Sequence, residues 1–168
     1  DCINALKTIT SNFKTYIYMP AIIKANYKNI IKHGLEDLID QYNICGFIIS
    51  SVGDLLLLEK YQKDFDFIGN FTLNTFNTFS INTFKSLGIS KITLSPELNL
   101  EDINNICTTL NGHIPLELVV YGNTPVMKMN YCLLGVSNKC YPECKMRCSL
   151  TNNKYYLRDR LGFKFRIL

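Results

Sequence analysis

KITLSPELNLEDINNICTTLNGHIPLELVVY, residues 91–121, is the stretch whose reading decides the fold. Lys91–Leu94 is a short, β-branched strand candidate. Asn99 stands where a helix N-cap belongs, with Asp102 at the third position. Ile103, Ile106, Cys107 and Leu110 then form one apolar helical stripe, and Asn111-Gly112 supplies a helix stop. Leu116–Tyr121 is a second apolar strand candidate. Strand, helix and strand in this order imply a parallel pair joined by a right-handed crossover.

The same unit repeats toward the N-terminus. Thr15–Met19, Gly46–Ser50 and Phe65–Ile68 are further strand candidates. Between the first two, Tyr27, Ile30, Ile31, Leu35, Leu38 and Ile39 keep the spacing of one helical face. Gly88 closes a helix that carries Ile81, Phe84 and Leu87. Five strand–helix units place the chain in the α/β class: an open parallel sheet or part of a closed barrel. A closed barrel needs eight such units. The chain begins at Asp1, not at Met, which reads as a cut inside a longer protein. The partial barrel is therefore the favoured expectation, with three units in the upstream part of the same polypeptide. Residues 1–122 form this α/β portion. Residues 123–168 are expected to be a small cysteine-rich appendix. Within it, Lys154–Leu157 and Lys164–Leu168 flank Asp159-Arg160-Leu161-Gly162 and read as a β-hairpin-like tail.

Composition narrows the class. Apolar residues make up 47% of the chain and charged residues 19%, a globular balance. The longest apolar runs, Ile44–Ile49 and Leu55–Leu58, fall well below the ~20 residues of a membrane span. Nothing at the start has the form of a signal peptide. The expectation is a cytoplasmic protein without membrane contact. The formal charge of +4 sits in the tail: residues 139–168 hold eight basic side chains against two acidic ones. Ten basic and twelve acidic residues are left for the first 138, a balance of −2. Arg158, Arg160, Lys164 and Arg166 are thus candidate RNA or substrate contacts, with Tyr155, Tyr156, Phe163 and Phe165 interleaved. A solvated face, or compensation for an anionic metal–thiolate site, is the alternative.

Seven cysteines, an odd number without a signal sequence, argue against a disulfide framework. Four are clustered: Cys132, Cys140, Cys144 and Cys148, spaced C-x7-C-x3-C-x3-C. Four thiolates within reach of one point select zinc or an iron–sulfur cluster. Tight zinc sites favour C-x2-C pairs, which are absent here, so a [4Fe–4S] cluster is favoured over zinc, with unligated thiols as the third option. Cys2, Cys45 and Cys107 read as small buried apolar residues.

His33 and His113 have no carboxylate or nucleophile at motif spacing. Glu117, on the strand Leu116–Tyr121, is a candidate interior carboxylate: an ion-pair partner, or an active-site acid or ligand. Glu97, just past a strand end, is a second candidate catalytic acid. Asp159 and Arg160 read as turn residues or substrate contacts. No glycine-rich phosphate loop is present.

Glu117-Leu118-Val119-Val120-Tyr121-Gly122-Asn123-Thr124-Pro125-Val126-Met127, followed by Cys132, resembles the signature of the collagenase-like peptidase family. Leu73–Asn77, Thr93–Asn99 and the closing Tyr156–Phe163 are similar to other segments of that family's conserved domain, in its C-terminal part. The likeness is specific over residues 65–168 and extends to the first 64 in pattern only. The resemblance implies a peptidase by name, but no peptidase mechanism follows from the motifs. It also implies a four-cysteine iron–sulfur cluster, since several relatives hydroxylate RNA bases or quinone precursors with one. The RNA-modifying relatives are linked to prephenate as oxygen donor. Many relatives carry a cysteine where this chain has Pro125-Val126-Met127, so Cys144 or Cys148 has to supply the fourth thiolate. The expected activity is hydroxylation of RNA bases or of an aromatic metabolite. Proteolysis, or a non-catalytic RNA- or protein-binding domain with structural zinc, is the alternative.

Overall fold

A computed structural model of the chain describes residues 2–24, 27–129, 131–137 and 154–167. Chain contacts divide it into two compact units, Asp1–Asn123 and Thr124–Leu168.

The first unit is an α/β sheet. Its elements are α1 (Cys2–Asn12), β1 (Thr15–Tyr18), α2 (Lys28–Gln41), β2 (Ile44–Ile49), α3 (Val52–Leu57), β3 (Asp66–Gly69), α4 (Thr78–Ser86), β4 (Lys91–Thr93), α5 (Leu100–Leu110) and β5 (Leu116–Glu117). Short 3-10 turns, Glu59–Tyr61 and Phe71–Leu73, flank β3. The strands pair in chain order, β1-β2-β3-β4-β5, and every pairing is parallel. An open parallel sheet of five strands alternating with helices is thus the observed architecture.

Parity along the strands separates two faces. Ile17 and Met19, Phe47 and Ile49, Phe67, Ile92 and Leu94, and Leu116 share one face. All join a single apolar cluster with Leu35 of α2, Leu58 after α3, Ile81 of α4, and Ile106 and Leu110 of α5. The helices from α2 to α5 therefore pack on the same side. Phe47 and Phe67 meet edge-on, centroids 5.7 Å apart. The other face carries Tyr16, Tyr18, Ile48, Asp66, Ile68, Lys91, Thr93 and Glu117, of which only Ile68 is fully buried. A strictly sequential strand order has no switch point, so nothing in the connectivity sends a helix to this second face.

Local signals explain the boundaries. Asn99 caps α5 by accepting the Asp102 N–H, and Asn111 ends it in the left-handed region (φ 45°). Asn77 caps α4 through the Ser80 N–H, and Gly88 follows that helix at φ +90°. Gly46 has a steric reason: a Cβ there would lie 2.0 Å from the Asp66 carbonyl oxygen of β3.

Three expectations need correction. The strand expected over Leu116–Tyr121 stops at Glu117. Leu94 N–H still reaches the Glu117 carbonyl, but β4 then turns at Pro96, which has no N–H to extend the ladder. Beyond it, Val120 and Tyr121 are 88% and 98% exposed. Cys107 is exposed, and so is not a core residue. It lies about 100° around α5 from Ile106, outside the Ile103–Ile106–Leu110 contact line. Tyr27 and Ile30 also point outward, leaving Ile31, Leu35 and Ile39 as the contact stripe of α2.

The second unit contains α6 (Leu133–Ser137) and an antiparallel hairpin of β6 (Tyr155–Arg158) and β7 (Lys164–Ile167). Asp159 builds the turn: its Oδ1 accepts Leu161 N–H at 3.0 Å and Phe163 N–H at 2.8 Å. Gly162 supplies the positive φ that the turn requires.

Candidate functional site at the strand carboxyl ends

Parallel sheets place their ligands beyond the carboxyl ends of the strands. In the first unit the ends of β1, β2 and β3 carry a cluster of uncharged polar side chains. Asn70 follows β3 and is buried. Its Oδ1 accepts Phe71 N–H at 2.9 Å, which fixes the orientation of the amide. Nδ2 then donates toward Tyr18 Oη at 2.8 Å, Thr72 Oγ1 at 3.1 Å and Ser50 Oγ at 3.2 Å. Thr72 Oγ1 donates in turn to the Ser50 carbonyl at 2.9 Å. One amide thus ties together the ends of β1, β2 and β3. Tyr18 reaches it across β2 and stays 49% exposed.

Asp54 supports the end of β2 from the first turn of α3. It is 1% exposed, and its Oδ2 accepts the Ser50 and Ser51 N–H groups, both at 2.9 Å. Its Oδ1 accepts Ser51 Oγ–H at 3.0 Å. Three donors satisfy this buried carboxylate in place of a counter-ion. The segments after β3 and β4 are joined by Ser95 N–H to the Thr75 carbonyl at 3.3 Å. Thr75 itself is fully buried, and its Oγ1 has no hydrogen-bond partner among the described residues.

Glu117 lies on the face that the helices leave open. It is half-exposed, not the buried interior carboxylate that the pattern of its strand suggested. Lys91 Nζ pairs with its Oε1 at 3.1 Å, and Thr93 Oγ1 donates to its Oε2 at 3.0 Å. The hydrogen bond to Glu117, then that carboxylate's charge, holds the Lys91 ammonium above the usual lysine pKa. On the same face Tyr16 crosses Gly46 toward Asp66, at 3.4 Å. Loss of solvent, followed by the charge of Asp66, raises the Tyr16 phenol above its ordinary value. Glu97 is exposed after β4, and among the described residues only its backbone N–H is engaged, with Ser95 Oγ. The structure does not bring Glu97 and Glu117 into a shared bond. His33 is exposed and faces Glu36 at 3.7 Å.

Of the four clustered cysteines, Cys132 is described. It is exposed, and its Sγ accepts Gly135 N–H at 3.2 Å. Cys140, Cys144 and Cys148 lie outside the described residues, as does the side chain of Cys2. Among the described residues no three His, Cys, Asp or Glu side chains gather as metal ligands. An accessible thiol accepting a backbone N–H is compatible with thiolate ligation, where such bonds tune the sulfur.

The hairpin register pairs Tyr156 with Arg166 and Arg158 with Lys164. Alternation puts these four on one face and Tyr155, Leu157, Phe165 and Ile167 on the other. Arg158, Lys164 and Arg166 are thereby brought together, and Arg160 sits in the connecting turn.

The sequence reading missed Tyr18, Ser50, Asn70 and Thr72 as a set. A signal for them was present: a hydroxyl or amide residue stands at or just past the end of each of the first three strands.

No helix among the described residues is long and apolar enough to cross a membrane. No curated protein and no solved structure matches the chain. The family model described as Peptidase family U32 matches residues 5–162, nearly the whole sequence, in agreement with the motif resemblance. The chain belongs to peptidase family U32.

Proposed function

We propose that this chain is part of an iron–sulfur-dependent hydroxylase that acts on RNA bases or an aromatic metabolite. The observation that carries the RNA reading is the basic hairpin face. Like charges placed directly opposite each other destabilise an isolated β-pair, and Arg158 stands opposite Lys164 with Arg166 beside them. A polyanion removes that repulsion, and neighbouring Tyr156 offers a ring for stacking. Cys132, Cys140, Cys144 and Cys148 would hold the cluster; zinc is the alternative metal. When bound, a [4Fe–4S] cluster supplies one-electron chemistry. Among the chain's own residues, the hairpin cations Arg158, Lys164 and Arg166 would take phosphates.

The reading implies a cytoplasmic setting, where thiols stay reduced. It also gives the open sheet face an occupant, the upstream part of the same polypeptide. That layer would cover Tyr16, Asp66, Lys91 and Glu117. In such a closed barrel Glu117 and Glu97 remain candidate acids.

Proteolysis is the second reading, and the family's name alone favours it. Among the described residues no serine or cysteine pairs with a histidine base. Contaminant-free protein that cleaves gelatin would establish it.

The deciding experiment is anaerobic metal analysis with visible spectroscopy. Broad thiolate–iron absorption near ~400 nm is expected, lost in Cys132→Ala, Cys140→Ala, Cys144→Ala and Cys148→Ala but kept in Cys45→Ala and Cys107→Ala. Colourless protein with bound zinc moves the assignment to a structural site. Metal content unchanged in all four variants rules out the site.

A further inference from the structure

The turn of the hairpin is fixed by hydrogen bonds and yet presents apolar side chains to solvent. Asp159 N–H donates to the Phe163 carbonyl at 3.1 Å, and Gly162 N–H donates to the Asp159 carbonyl at 3.2 Å. The Asp159 carboxylate takes the Leu161 and Phe163 N–H groups as well. Arg158 lies against this turn: a Cβ at Gly162 would stand 3.2 Å from Arg158 Nη2. On the fixed backbone Leu161 is 84% exposed and Phe163 63%. A single exposed leucine is ordinary on a protein surface. This one follows Arg160 directly, on a turn between Arg158 and Lys164. Among the described residues none of these three cations forms an ion pair.

We infer that Leu161 is a wedge that parts stacked bases of an RNA stem while the flanking cations hold its phosphates. The inference rests on the RNA reading above and deepens it, since chemistry on a base requires that base to leave its stack. Charge selects a polyanion as the partner. Area selects a nucleic acid over an anionic lipid surface. Leu161 and Phe163 together bury too little for a membrane anchor, whereas one leucine is enough to enter a base step. The locked turn adds to the effect: a side chain on a loose loop would give up part of the gain in being ordered. The substrate class is therefore RNA whose target base starts stacked within a stem.

The test uses the whole chain and a series of RNA stem-loops with 2-aminopurine at successive stem positions. The fluorescence of this base rises when it unstacks. The unaltered chain binds the stems and raises the signal in at least one position. Leu161→Ser keeps the melting temperature and the slope of log K against log salt, because it touches no cation and no hydrogen bond of the turn. It abolishes the rise and weakens stem binding about tenfold, the worth of partly burying one leucine. Leu161→Met keeps an apolar side chain and keeps the rise. Stem binding with no rise in any position, or a rise that survives in Leu161→Ser, overturns the wedge and leaves the RNA reading standing. No RNA bound at any salt overturns the RNA reading itself. Vesicles of phosphatidylserine and phosphatidylcholine bound more tightly than RNA, with that binding lost in Leu161→Ser, make the tip a membrane contact and overturn the wedge.

Discussion

Each of the two sheets has one apolar and one charged face, but the charges are handled differently. On the open face of the five-stranded sheet they are matched: Lys91 pairs with Glu117, and Tyr16 donates to Asp66. On the hairpin, Arg158, Lys164 and Arg166 share a face, and no carboxylate pairs with them among the described residues. Asp159, the nearest acid in sequence, is spent on the turn. A matched face belongs to architecture. An unmatched one is a surface that gains from an anion.

The covered face of the large sheet sets the scale. Phe67 is 1% exposed and touches the ring of Phe47. Phe67→Ala should destabilise by about 3–5 kcal/mol, the range for emptying a packed aromatic site. Ile48, half-exposed on the open face, should lose only about 1 kcal/mol on truncation to alanine. Urea midpoints of the two variants measure the contrast. Equal losses would mean that the open face is packed as firmly as the covered one.

The hairpin half of the comparison breaks differently. Arg158→Gln with Lys164→Gln removes two facing cations without changing the ladder. Its RNA affinity should depend less on salt, the slope of log K against log salt falling by about 1 per cation. A titration across a salt series checks it. An unchanged slope would make the hairpin face a solvated surface and move the substrate from RNA toward a small aromatic metabolite.

Local chemistry made most of the fold legible. Asn99, Asn111 and Gly88 gave the boundaries of α4 and α5, because caps and left-handed stops act within a few residues. The end of β5 was not legible in Leu116–Tyr121 itself: the apolar run continues, but its partner β4 turns away at Pro96. Nor was α1 foreseen, and neither was the role of Asp54, whose acceptors serve both the end of β2 and the start of α3. The cluster around Asn70 assembles residues from three strands, so only pairing in space reveals it. The tail's alternation of cations with aromatics was visible, and the register turned it into two faces.

A smaller effect tests the matched face. Lys91 and Tyr16 both hold their protons more firmly in the folded chain than in the unfolded one. Stability linked to a raised pKa is fully present below the unfolded value and is lost as pH rises through the folded one. The unfolded values are about 10.4 for lysine and about 10 for tyrosine, so the loss begins near pH 10. Urea midpoints should fall across that window in the native chain and fall less steeply in Lys91→Met. Near pH 8 Lys91→Met should change little, since the pair is partly exposed. An identical alkaline slope in both proteins would show that the Lys91–Glu117 contact does not persist in solution.

The smallest expected effect has the most diagnostic sign. Thr75 is fully buried after β3, its carbonyl accepts Ser95 N–H, and its hydroxyl has no partner among the described residues. Valine has nearly the same shape and no hydroxyl. If the oxygen is unpaired, Thr75→Val removes a desolvated polar atom and should be neutral or stabilising by up to about 1 kcal/mol. A destabilisation of about 1 kcal/mol or more would mean instead that the hydroxyl is bonded to an ordered water. Calorimetric melting reads the sign directly. The outcome bears on both ends of the core: a stabilised variant would show that the strand carboxyl ends tolerate an unpaired polar atom, as the packing around Phe47 does at the buried Tyr61 hydroxyl, which has no partner among the described residues either.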